Sequence, residues 1–198
     1  SQDRPWFKSY PENMPHEIDL DEYRSIISVF DTAVGRFKAK PAFSNLGKTL
    51  TYAEIDTQSR QFAAYLLGDL KLKKGDRVAI MMPNCLQYPI AIFGILRAGL
   101  TVVNVNPMYT PRELKHQLID SGECDAVVIA SPNHTHRAIL EDVLDSALHV
   151  MVEKPLCTTV DDCLNVVEAA EDRDAITWMG LQYRFMPTPA AMLGQLAS

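Results

Sequence analysis

Gln117–His136 reads QLIDSGECDAVVIASPNHTH, and the fold turns on how this stretch is divided. Its centre, AVVIA, is a short apolar run bounded by Gly-Glu-Cys-Asp before and Ser-Pro-Asn after. That is the pattern of a buried strand. The residues before it read as the end of a helix, and those after it as a loop leading into another helix. A strand between two helices is the repeating unit of an α/β sheet. The neighbouring sequence repeats it. Further strands are expected at RVAIMMP (Arg77–Pro83), TVVNVNP (Thr101–Pro107), CDAVVIAS (Cys124–Ser131), HVMVEKP (His149–Pro155) and AITWMGLQYRF (Ala175–Phe185). Helical stretches separate them. Asn84 is expected to cap the helix after the first strand, and Gly99 to stop it. Thr110-Pro111-Arg112-Glu113 is a capping box with proline at the first helical position. NHTHRAILEDVLDSA and TVDDCLNVVEAAEDR supply two more helices.

Upstream, residues 1–20 are rich in proline and acid and are expected to wrap the surface without regular structure. Ile26, Ile27, Phe30, Ala33, Val34 and Phe37 fall on one helical face. PAFSN and KTLTY, joined through Leu46-Gly47, suggest a β-hairpin. Thr51 and Glu54 form a capping box for a helix reaching about Leu67. The expected fold is therefore α/β: a Rossmann-like sheet of about five mainly parallel strands, with helices on both faces, preceded by a helix and a β-hairpin.

Composition narrows the function. The chain has 198 residues, 47% of them hydrophobic, enough for a substantial core. The longest apolar run, PIAIFGIL, is shorter than the roughly 20 residues of a membrane span, so no transmembrane segment is expected. The N-terminus lacks the plan of a signal peptide. The net charge of −6 argues against nucleic acid as a partner. Residues 1–122 carry 15 Lys and Arg against 13 Asp and Glu, a net of +2, whereas residues 123–198 carry 4 against 12, a net of −8. Such a step can mark a boundary between segments of different origin. The four cysteines make no CxxC pair and read as reduced cytoplasmic thiols. Cys157 and Cys163 flank a helix start, but no His/Cys set completes a metal site.

Ligands of a doubly wound sheet bind beyond the carboxyl ends of its strands. The first such loop, MMPNCLQYP, has no glycine, so side chains hold the backbone away from a pyrophosphate. The second strand ends in Asn104 and Asn106, not in the acid that would grip ribose hydroxyls. The later loops carry more chemistry. Lys154, between Glu153 and Pro155 at a strand end, could bond a substrate oxygen, although spacing alone favours a solvated Lys–Glu pair at a loop mouth. His134 and His136 stand at a helix start, where a neutral imidazole can face a ligand or a surface. Tyr183 and Arg184 fit an anion contact or an ordinary rim.

Two resemblances follow from longer phrases. RPWFKSYPENMPHEI, LTYAEIDTQSRQFAAYL, LKKGDRVAIMMPNCLQYPIAIFGILRAG and TVVNVNPMYTPRELKHQLIDSG, from about Arg4 to Gly122, closely resemble the N-terminal part of bacterial long-chain acyl-CoA synthetases, the AMP-forming fatty-acid–CoA ligases. That resemblance implies a chemistry in which ATP and a fatty acid form an acyl-adenylate and CoA takes the acyl group. The family's phosphate loop, acidic ATP-site motif and C-terminal lysine have no counterpart in this sequence, so no ATP site is expected. CDAVVIASPNHTHRAIL, HVMVEKPLCTTVDDC and GLQYRFMP, from about Cys124 to Leu196, resemble the Gfo/Idh/MocA group of NAD(P)-dependent oxidoreductases. By that resemblance Ser131, Pro132, Asn133 and His136 lie near the cofactor. Glu153, Lys154 and Pro155 face nicotinamide and substrate, with Lys154 as the catalytic group. Gln182, Tyr183 and Arg184 open the substrate-binding sheet. The Gly-rich first loop, the ribose-binding strand end and the later catalytic histidine of that group have no counterpart.

The combined expectation is a chimera, residues 1–122 ligase-like and 123–198 oxidoreductase-like, joined within Ser121–Asp125 and merged into one α/β domain. It carries neither complete activity, and its only cofactor is weakly held NAD(P). The alternatives are a truncated long-chain fatty-acid–CoA ligase, a weak NAD(P)-binding module, or a structural domain without catalysis. Any partner is a small molecule, and exposed sheet edges favour self-association.

Overall fold

The computed structural model describes residues 4–17, 19 and 21–180. Within them the sheet is parallel throughout and carries helices on both faces, as the strand–helix alternation implies. Its strands are β3 (Arg77–Met81), β4 (Thr101–Val105), β5 (Ala126–Ile129), β6 (His149–Glu153) and β7 (Thr177–Gly180), arranged β4-β3-β5-β6-β7. The first strand of this set therefore pairs with both the second and the third. The remaining strands follow in order on one side. Chain direction across the sheet reverses between β3 and β5. Their carboxyl ends are the topological switch point, where doubly wound sheets leave a crevice.

Successive strand residues face opposite sides, so each apolar run feeds two cores. Ala79, Met81, Val127, Ile129, Val150 and Val152 pack with α4 (Pro111–Asp120), α5 (His136–Leu144) and α6 (Val160–Glu171). Val78, Ile80, Ala126 and Val128 pack on the other face with α2 (Tyr52–Gly68) and α3 (Gln87–Arg97). α2 and α3 cross closely because Gly94 has no side chain. A Cβ there would lie 2.8 Å from the Phe62 ring and 3.0 Å from the Ser59 carbonyl oxygen.

α1 (Ile26–Phe37) lies outside α2 and α3. Arg97, its side chain only 9% exposed, ties the three helices together. Its guanidinium bonds Asp31 of α1 at 2.6 Å and also Asp56 of α2; its Nε donates to Ser59 at 3.2 Å. The same group stands over the Phe30 ring, which stacks on Phe93 at 3.8 Å.

The hairpin forms as expected from β1 (Pro41–Asn45) and β2 (Lys48–Thr51). Leu46 (φ 47°) and Gly47 (φ 77°) both take left-handed backbone, the requirement of a two-residue turn that matches strand twist. Two expectations need correction. Residues 5–9 make a short 3-10 turn, held by Phe7 stacking on His16 at 4.3 Å. Asn84 does not cap α3. Its carbonyl is drawn aside to accept from Asn45 Nδ2 at 2.7 Å, and the helix starts only at Gln87 with no side-chain cap.

Candidate functional site

A pocket of about 490 Å³ opens at the switch point. Met82 and Pro83 after β3, and Ile129 and Ala130 at the end of β5, form its back. Phe62, Ile90 and Ala91 from α2 and α3 form an apolar wall, with Gln58 as a polar group on the α2 side. Met151 and Glu153 of β6, with Lys154 just after it, close the remaining side. A largely apolar chamber with two amides, Gln58 and Gln87, and the charged Glu153 and Lys154 at its edge is the usual composition of a small-molecule site. A larger cleft, about 610 Å³, lies at the opposite, amino-terminal ends of the strands, lined by Leu72, Asp76, Leu118, Cys124 and His149 among others. It is away from the strand ends where this architecture places ligands. Among the described residues no His/Cys/Asp/Glu cluster has the makings of a metal site, and no helix is long and apolar enough to cross a membrane.

The structure brings together some of the expected residues. Ser131 is buried after β5, and its Oγ lies 2.8 Å from Thr135 Oγ1, whose own hydrogen goes to the Pro132 carbonyl at 2.7 Å. Pro132, Asn133 and His134 are exposed on the turn before α5. Lys154 is exposed on the pocket rim, while Glu153 is half-buried and accepts from the Lys154 backbone N–H at 3.2 Å. Pro155, exposed, follows a cis peptide. Gln182, Tyr183 and Arg184 lie outside the described residues.

His136 departs from the picture of a ring facing a ligand. It is wholly buried, with Nδ1 2.9 Å from the Pro155 carbonyl oxygen and Nε2 3.0 Å from that of Ser131. Both partners are acceptors. A neutral imidazole has one N–H and satisfies one of them; the imidazolium satisfies both. The ring is a strut between the SPN loop and the EKP loop. The reason is visible in the sequence: His136, Ile139, Leu140, Val143 and Leu144 recur at helical spacing and form the buried stripe of α5.

The ends of β4 are also occupied. Tyr88 donates to Asn104 Oδ1 at 2.8 Å, and burial holds its phenol above the ordinary value, in the protonated donor form. Asn106 Oδ1 accepts from the Met108 N–H at 3.0 Å. Each amide oxygen thus already has a partner within the chain. Phe62, Gln58 and Ile90 were not singled out by sequence. Their signal is the i, i+4 spacing of Gln58 and Phe62 on α2, which an ordinary buried helix face shares.

Comparison with known proteins bears on the whole chain. A family model described as AMP-binding enzyme matches residues 30–191. The match runs past the boundary expected at Ser121–Asp125 and gives no support to a separate oxidoreductase origin for the second part. A long-chain-fatty-acid–CoA ligase of Escherichia coli is 48% identical over 163 residues, which is 82% of this chain and 28% of the relative. A ligase of the same name from Yersinia pestis is 55% identical over 133 residues, 67% of this chain and 24% of the relative. The chain thus spans about a quarter of the length of these relatives. Among solved structures, a benzoate CoA ligase from Burkholderia xenovorans superposes with a TM-score of 0.58 at 20% identity, covering 76% of this chain and 29% of that one, a likeness of fold.

Proposed function

The chain belongs to the AMP-binding enzyme family, and from that premise we propose that it is part of a long-chain fatty-acid–CoA ligase and holds no complete catalytic set by itself. The observation that carries this reading is the likeness to the Escherichia coli ligase along 82% of the chain. The proposed whole reaction joins ATP and a fatty acid into acyl-adenylate and pyrophosphate, after which CoA takes the acyl group and AMP leaves. These residues contribute the parallel sheet and an apolar crevice at its switch point. The groups that grip ATP phosphates belong to other segments, since MPNCLQ lacks the glycines that let backbone N–H groups approach phosphate. A cytoplasmic setting, with the cysteines reduced, fits this reading. The test incubates the chain with ATP and oleate and traps activated acyl groups with hydroxylamine. No hydroxamate is expected from the chain alone; hydroxamate above the ATP-free control would overturn its incompleteness.

A second reading retains the composite origin, with the later loops holding NAD(P) weakly. What favours it is that the SPN and EKP loops, from neighbouring strands β5 and β6, are linked through His136, and that Lys154 stands on the pocket rim. The 610 Å³ cleft also opens across the proposed join, between Leu118 and Cys124–Asp125. Titration with NADH should change its fluorescence, and Lys154→Ala should weaken the change. A flat titration into the millimolar range would end this reading.

A further inference from the structure

The larger cleft, about 610 Å³, opens where the strands begin, at the other end of the sheet from the switch-point pocket. Helices that cover a parallel sheet run back against its strands, so their carboxyl ends gather at this end. α2, α4 and α5 each bring one. The segments that follow them, residues 70–72, 123–125 and 146–148, line the cleft. Each helix end carries a negative partial charge of about half a unit. Leu72, Leu114, Leu118, Val143 and Leu148 are buried and give the cleft an apolar interior. Four carboxylates accompany them. Two are engaged by backbone: Asp76 accepts from the Lys73 N–H at 2.7 Å, and Asp125 from the Arg77 N–H at 2.7 Å. The other two, Glu123 and Asp142, are exposed and have no hydrogen-bond or ion-pair partner among the described residues. Lys71 and Lys115 also line the cleft, both exposed, on long stems whose heads can turn to water. Carboxylates therefore outnumber ammonium groups, and the helix ends add charge of the same sign.

We propose that this cleft is a binding site for an organic cation with an apolar body, a primary amine on an alkyl or aryl chain. The body displaces water from the leucine-lined interior, and the ammonium group meets Glu123 and Asp142. The volume lies within the range of small-molecule sites. Negative helix ends and unpaired carboxylates select against an anion of the same shape. The site is separate from the switch-point pocket and does not depend on the ligase assignment.

The test titrates the isotope-labelled full chain with phenylbutylamine and follows its backbone amides by NMR. Phenylbutanol and phenylbutyrate, the neutral and anionic counterparts, are titrated alongside. The amine should give saturable shifts at residues 70–72, 123–125 and 146–148, while Ile90, Ala91 and Ala130 of the switch-point pocket stay still. The alcohol should bind the same residues more weakly, and the acid more weakly again. Glu123→Gln and Asp142→Asn, both at exposed positions, should each weaken the amine about two- to five-fold and leave the alcohol unchanged. Added salt should weaken the amine alone. Equal binding of the three compounds, amine shifts confined to the switch-point pocket, or no saturable shift would overturn the proposal. The wild-type series decides by itself should either variant fail to fold.

Discussion

Residues before Glu123 and residues after it build the same sheet with different fastenings. In the first region three helices begin with reciprocal caps: Ser25 with Ser28, Thr51 with Glu54, and Thr110 with Glu113. Its outer layer is bound by Arg97 across α1, α2 and α3. In the second region α5 has no side-chain cap, and its first residue is a buried histidine bonded to two loops. α6 leaves Val160, Leu164 and Val167 exposed, whereas the apolar faces of α2 and α3 are covered. Uniform strand pairing can thus be secured by quite different side-chain chemistry on either side of β3 and β5.

The comparison can be broken most forcefully through the cores. Ile95→Ala and Leu140→Ala, each removing a fully buried side chain from one region, should each destabilise by about 2–5 kcal/mol and lower one shared transition. Two separate melting steps in Leu140→Ala by calorimetry would show that the regions unfold apart. Arg97→Ala removes the group that joins Asp31, Asp56 and Ser59, while Arg60 still pairs with Asp56, and a loss of about 2–3 kcal/mol is expected by chemical denaturation. His136→Gln has one amide to replace two ring contacts. It should cost about 1–3 kcal/mol and show faster hydrogen exchange in the SPN and EKP loops than at α1. Thr51→Ala should cost about 1 kcal/mol through its lost cap.

The smallest effect is one of pH. Bonds from the Thr51 and Thr110 backbone and side chains hold Glu54 and Glu113 below the ordinary carboxylate value of 4.5. Their contribution is full above that value and is lost as pH falls through the lower folded values. Helical signal should therefore begin to fall with acidification below about pH 4.5, and Glu54→Gln should flatten part of that dependence.

Much of this fold was legible in the sequence because its signals are local. The apolar run at Arg77–Met81, the Thr51 and Thr110 boxes and the Leu46-Gly47 turn each specify their own element. β5 is Ala126–Ile129, shorter than the Cys124–Ser131 stretch expected, and the Asp125 carboxylate before it accepts from the Arg77 N–H at 2.7 Å. What sequence could not reveal depends on distant partners. Arg97 meets groups 66 and 41 residues away, and the Asn84 carbonyl is claimed by Asn45, 39 residues earlier. The site was legible in part. Lys154 does reach the pocket rim, but His136, read as a possible ligand contact, belongs to the stripe that buries α5.

Native-state hydrogen exchange across the β3–β5 pair tests the central claim, one continuous sheet with its crevice at the switch point. Amides of Ala79–Met81 and Val127–Ile129 should open together with the same free energy, that of global unfolding. Rapid exchange in β5, β6 and β7 beside a protected β3 and β4 would contradict it.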